Sequence, residues 1–243
     1  MRMRKKPNLT PRMERCASVL ITEPQALRGH WLESTGYSKL YLEIGCGKGG
    51  FTAKTPAVLP DVLYVAVERV PDAMVVAMER VCADGLDNVR FIDIDAKNLC
   101  DLFAPGEADR IYINFCDPWP SRRHEKRRLT APGFLFLYEQ VLAPGGEIHF
   151  KTDNAPLFEF SLQSFDYRHW ETREVTRDLH KDGPVGIMTD YEAKFYAQGM
   201  PINRCVAVRP DAPLPEPVGF RHFGPPSEEA AFAGAEASNE KEE

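Results

Sequence analysis

The chain has 243 residues, 43% of them apolar and 27% charged, with a formal net charge of −6. That is enough chain for one sizeable core, and the mixture excludes collagen-like, low-complexity and membrane-embedded classes. No apolar run reaches the roughly 20 residues that a bilayer-spanning helix needs.

The net charge argues against a polyanionic partner until its distribution is considered. After Pro226, Glu228, Glu229, Glu236, Glu240, Glu242 and Glu243 face only Lys241, so five of the six net negative charges sit there. The remaining chain is almost neutral and its cations are clustered, which is what decides where a polyanion docks. The basic start, MRMRKKPNLTPR, has no apolar segment behind it and does not read as a secretory signal. Residues 1–37 are expected to form a basic arm. The cysteines at 16, 46, 82, 100, 116 and 205 include no CxxC spacing, which predicts reduced core thiols of a cytoplasmic protein and no metal site.

In chain order, 38–44 (SKLYLEI) predicts a strand ending near Glu43, followed by the Gly-rich GCGKGG and a helix over 51–57. Residues 62–68 (VLYVAVE) are almost continuously apolar, the mark of a strand buried on both faces, and end in Glu68. A helix over 73–82 stops at Gly85, and a third strand over 89–94 leads into Asp95. A fourth strand over 111–115 is halted by Asp117-Pro118-Trp119-Pro120, because neither proline has an N–H for the ladder. A helix over 134–142, a strand over 147–152 ending at Asp153, and a helix over 157–165 follow. The alternation predicts an α/β, Rossmann-like, mainly parallel doubly wound sheet in three layers, over 38–209. HWETREV and INRCVAV add an antiparallel pair at its edge, and 210–243, Pro-rich and then acidic, reads as disordered.

In such sheets, ligands bind beyond the carboxyl ends of the strands. Here five strands each end in an acid: Glu43, Glu68, Asp95, Asp117 and Asp153. Gly45 and Gly47 allow a tight turn and close approach of a ligand to the main chain. A dinucleotide is the usual guest of such a loop, but a carboxylate two residues before the first glycine sits badly beside a diphosphate. It suits a ligand that is cationic there, such as S-adenosylmethionine. Glu68 is spaced to accept from ribose hydroxyls, and Asp95 from an adenine amine. The run Arg122, Arg123, His124, Lys126, Arg127, Arg128 beside Asp117 reads as a phosphate-binding face. Thr189 with Glu192 three residues on also has the form of a helix capping box.

The motifs EIGCGKGG, VERV, INFCDPWPSRRHEKRRL, FKTDN and TDYEAKFYAQGMPI, in this order, resemble the bacterial tRNA (guanine-N7-)-methyltransferase family. The resemblance implies transfer of a methyl group from S-adenosylmethionine to N7 of a guanine in the tRNA variable loop, by a cytoplasmic monomer or homodimer. It implies that Glu43, Gly45, Gly47, Glu68, Asp95 and Asp117 contact S-adenosylmethionine or shape its pocket, with Asp117 also catalytic. It implies that Ser121, Arg122, Arg123, His124, Arg127, Asp153, Thr189, Asp190, Tyr191 and Glu192 meet the tRNA. One position departs from the family pattern: Ser121 stands where a lysine usually follows DPWP. Other readings are an adenine methyltransferase acting on RNA, separable by the methylated nucleoside formed, and a non-catalytic RNA-binding relic, whose RNA binding would ignore added S-adenosylmethionine. An NAD-dependent oxidoreductase is disfavoured by Glu43.

Overall fold

The computed structural model describes residues 5–212 and 214–217. Seven strands form one sheet: β1 (Lys39–Ile44), β2 (Val62–Val67), β3 (Val89–Ile92), β4 (Ala108–Asn114), β5 (Leu142–Thr152), β6 (Glu171–Thr176) and β7 (Asn203–Val208). Their order is β3-β2-β1-β4-β5-β7-β6. The first five strands run parallel, and β7 is antiparallel to both β5 and β6. The expected antiparallel addition is therefore present, with β6 as the outermost strand.

The apolar runs are explained by burial on both faces. Leu40, Leu42 and Ile44 of β1 and Leu63, Val65 and Val67 of β2 point into one core. Tyr41, Tyr64 and Ala66 point into the other. This is the two-residue alternation of a strand covered on both sides. Helix α3 (Pro71–Ala83) supplies Met74, Ala77, Met78 and Val81 to the second core. Helices α4 (Leu99–Leu102), α5 (Pro132–Val141) and α6 (Ala155–Tyr167) supply the first. Each such fully buried aliphatic side chain contributes about 1.5–3 kcal/mol. Glu139 of α5 is wholly buried, accepts from Trp170 Nε1 at 3.0 Å and pairs with Arg168, which ties α5 to the end of α6.

Three local expectations change. The helix over 51–57 does not form. Ala53 and Thr55 donate to Gly49 and Phe51 in one helical turn, and Pro56, which has no N–H, then starts a 3-10 turn over Pro56–Val58. Strand β5 begins at Leu142, five residues earlier than its apolar alternation indicates. The expected N-terminal arm packs on the domain. Helix α1 (Leu9–Arg15) lies against α3, where Arg12 binds Glu79 through Nε at 2.7 Å and Nη2 at 2.5 Å. Helix α2 (Trp31–Thr35) sends Trp31 fully into the core, its Nε1 donating to Leu102 C=O at 2.9 Å. Past Pro217, the Pro-rich and acidic stretch lies outside the described residues. Among the described residues, no helix is long and apolar enough to cross a membrane.

Candidate active site

A cleft of about 550 Å³ opens beyond the carboxyl ends of β1–β4. The strand order reverses between β1 and β4, so the cleft stands at the switch point where doubly wound sheets hold ligands. Gly45, Glu68, Asp95, Asp117 and Arg127 line it together, with Val67, Ile94 and Phe134 as apolar surfaces.

On the β1 side, the loop turns back because Gly45 N–H and Cys46 N–H both donate to Val67 C=O. Gly45 sits at φ +80°, and a Cβ there would point into open space. Gly49 is different: a Cβ would lie 2.5 Å from that of Ala77, so its job is close packing on α3. Glu68 holds the loop shape. One oxygen accepts from Gly47 N–H and the other from Val70 N–H, each at 2.9 Å. Asp95 accepts from Lys97 N–H at 3.1 Å, starting a 3-10 turn over Ala96–Asn98, and lies 3.6 Å from Arg69.

Glu43 lies beneath this loop and outside the lining. It is 2% exposed and accepts from Thr52 Oγ1 at 2.6 Å and Tyr64 Oη at 3.1 Å. Burial pushes its carboxyl up to about 7, against the opposing pull of those hydroxyls.

After β4 the backbone takes a form the sequence does not announce. Phe115 and Trp119 have φ of +53° and +42°, a left-handed conformation costly for bulky residues. Arg128 braces the turn, its guanidinium donating to Pro118 C=O at 2.9 Å and Trp119 C=O at 3.1 Å. It stacks over Phe160 at 4.2 Å and is only 8% exposed. The basic run is thus divided: Arg128 is structural, while Arg122, Arg123, Lys126 and Arg127 face solvent along a 3-10 segment (Arg122–Arg127). Arg127 covers the Trp119 indole at 5.0 Å, and His124 meets the same ring edge-on at 5.6 Å. Desolvation, then Arg127 and Arg123, hold His124 below its ordinary pKa. Ser121 is exposed just before the segment. Asp117 is exposed in the cleft mouth and forms no hydrogen bond or ion pair among the described residues.

The remaining positions lie outside the cleft lining. Asp153 is exposed past the end of β5. Helix α7 (Asp190–Ala197) begins with the expected capping box between Thr189 and Glu192. Asp190 pairs with Arg80 at 2.7 Å and rests against Gly50, and Tyr191 is 62% exposed. Phe195 of the same helix packs on the cleft-lining Phe115 at 6.1 Å between ring centres. Glu192 is fully buried on Lys151 and His180. Lys151 stands inside the motif FKTDN with no role assigned to it, and His180 stands in none of the motifs. The available signal was a lysine in the apolar strand EIHFKT, where an inward-facing cation needs a buried anion. Among the described residues, no group of three or more His, Cys, Asp and Glu is arranged to hold a metal ion.

Residues 37–205 match a family model described as "Putative methyltransferase". The chain is 44% identical over 212 residues to a tRNA (guanine-N(7)-)-methyltransferase of Geobacillus kaustophilus, covering 86% of this chain and 98% of that one. It is likewise 44% identical over 206 residues to the enzyme of that name from Bacillus subtilis, covering 84% and 97%. Among solved structures, the 16S rRNA methyltransferase KamB is similar with a TM-score of 0.58 at 15% identity, over 75% of this chain and 92% of its own. The aminoglycoside resistance methyltransferase NpmB1 gives 0.53 at 17%, over 73% and 91%. At these identities the solved structures speak for the fold, a Rossmann-like methyltransferase sheet. The sequence relatives speak for more: the chain belongs to the tRNA (guanine-N7-)-methyltransferase family.

Proposed function

We propose that this protein methylates N7 of a guanine in tRNA, with S-adenosylmethionine as methyl donor. The observation that carries the reading is the single cleft at the switch point, lined by Glu68, Asp95 and Asp117 and rimmed by Arg127 and Trp119. Its lining fits the donor. Open space lies over Gly45 and Gly47, Val67, Ile94 and Phe134 offer an apolar slot for a purine, and acids stand where hydroxyl and amine donors arrive. Glu68 and Asp95 hold the nucleoside part, while Glu43 supports the loop from below. S-adenosylmethionine supplies a methyl group made electrophilic by its sulfonium.

Guanine N7 carries an in-plane lone pair and no proton, so no residue has to act as a general base there. The protein's task is alignment and exclusion of water. The purine becomes cationic as it is methylated. Asp117 and Asp153 accept from guanine N1–H and the exocyclic amine, and so favour that cation. Arg122, Arg123 and Arg127 take the RNA backbone, with Ser121 and His124 beside them, and Thr189, Asp190 and Tyr191 flank the base. The protein acts in the cytoplasm without a metal, as a monomer or a homodimer.

The test is incubation of the purified protein with unmodified tRNA and methyl-labelled S-adenosylmethionine, followed by nucleoside analysis. Label in 7-methylguanosine is the expected result. Label in a methylated adenosine, or none, overturns the proposal.

A further inference from the structure

Beside the cleft lies a buried charge cluster that the proposed chemistry does not use. Glu192 has no solvent exposure, and Lys151 and His180 are 8% and 6% exposed. Lys151 Nζ donates to Glu192 Oε2 at 2.6 Å and to Ile187 C=O at 3.1 Å. His180 accepts Val185 N–H on Nδ1 at 3.1 Å, so its proton is on Nε2, which donates to Glu192 Oε1 at 3.0 Å. Thr189 N–H adds a third donor to the carboxylate, at 3.1 Å. Glu192 is therefore occupied on both oxygens and faces no solvent through which a base can reach it.

The cluster joins β5, the loop over 180–187 and the start of α7. It also reaches the Gly-rich side, because the Lys151 ammonium lies 5.2 Å from the centre of the Phe51 ring. Helix α7 in turn touches Gly50 through Asp190 and Phe115 through Phe195. A buried ion pair is weak evidence of stabilisation, but removing one partner strands the other charge and frees what it held.

We infer that Lys151 and His180 are positioning residues for methyl transfer: acting through Glu192, they fix the start of α7, so that Thr189 and Tyr191 face the tRNA and Glu192 does not. This rests on the proposed methyltransferase reading for its activity consequence, while the anchoring itself does not. The test is Lys151→Met, measured in two ways. Amide exchange over 179–195 speeds about tenfold or more, whatever the activity. The tRNA kcat/KM falls about tenfold or more, with S-adenosylmethionine affinity within about twofold of wild type. Lys151→Met/Glu192→Gln keeps the capping box without a stranded charge, and regains most of both losses. Unchanged exchange in Lys151→Met overturns the anchoring. Restored protection without restored turnover in the double variant overturns the inference in favour of direct contact between the Glu192 carboxylate and the substrate. Should Lys151→Met not fold, Glu192→Gln decides: at least about a tenth of wild-type turnover supports positioning, and a loss beyond about 100-fold with intact protection overturns it. A wild-type protein that methylates no tRNA defeats the functional reading and leaves the exchange result standing.

Discussion

The acids at the ends of β1–β3 differ from those at the ends of β4 and β5. Glu43, Glu68 and Asp95 are already bonded within the protein, to the Thr52 and Tyr64 hydroxyls, to the Gly47 and Val70 amides, and to the Lys97 amide. Asp117 and Asp153 are exposed and make no hydrogen bond or ion pair among the described residues. The first group spends its acceptors on shaping loops, and its members are coupled to folding. The second group keeps its acceptors free for a ligand and is nearly irrelevant to folding. Substitutions on the two sides should therefore fail in different ways.

The largest effect is expected at Asp117. Asp117→Asn should lower single-turnover methylation by about 10²–10³, the range for one preorganised electrostatic contact, with its thermal midpoint unchanged. A clear drop in the midpoint would place Asp117 with the structural acids and erase the contrast.

On the committed side, pH is the probe. Burial raises the Glu43 carboxyl from 4.5 to about 7, so the folded state holds that proton more tightly than the unfolded chain. The contribution is present below about 4.5 and is lost as pH rises through 7, amounting to about 3 kcal/mol. His149, on the same face of β5 as Lys151, runs the other way. Burial lowers it from 6.5 to about 4, so its contribution is present above 6.5 and is lost as pH falls towards 4. It is somewhat smaller, since about a fifth of the His149 side chain is exposed. The two nearly cancel between pH 4.5 and 6.5. Urea unfolding of Glu43→Gln should unmask a decline of about 2–3 kcal/mol, relative to wild type, as pH falls from 7.5 to 4.5. A difference independent of pH would show that Glu43 is not buried as described.

Glu68→Ala strands two loop amides and removes the acid proposed to hold the nucleoside. It should weaken S-adenosylmethionine binding about 10–100-fold by titration calorimetry, from one or two lost hydrogen bonds to a charged group. The smallest effect belongs to the exposed rim. Arg127→Ala should weaken tRNA binding a few-fold and reduce the slope of log affinity against log salt by about 1. An unchanged slope would remove Arg127 from the phosphate-binding face.

Much of this arrangement was legible in the sequence because it follows from period and punctuation. Two-residue alternation in LYLEI and VLYVAV marked strands buried on both faces, and each strand end carried its acid within three residues. The prolines of DPWP marked the turn. What was not legible depends on distance in space. Nothing local distinguishes Arg128 from Arg127, yet one braces the Trp119 carbonyl and the other lies exposed over its ring. Thr189 and Glu192 signalled a cap, and the cap is there, but its glutamate also meets Lys151 and His180, 41 and 12 residues away. Arg12 reads as a cation of a free arm until Glu79, 67 residues on, is seen to hold it.

The division between committed and free acids is tested most directly by single-turnover methylation of unmodified tRNA by Asp153→Asn at saturating S-adenosylmethionine. The predicted rate is about tenfold or more below wild type, with S-adenosylmethionine affinity within about twofold, because in the proposed complex Asp153 accepts from the base and not from the donor. A wild-type rate, or a loss explained wholly by weaker donor binding, would contradict it.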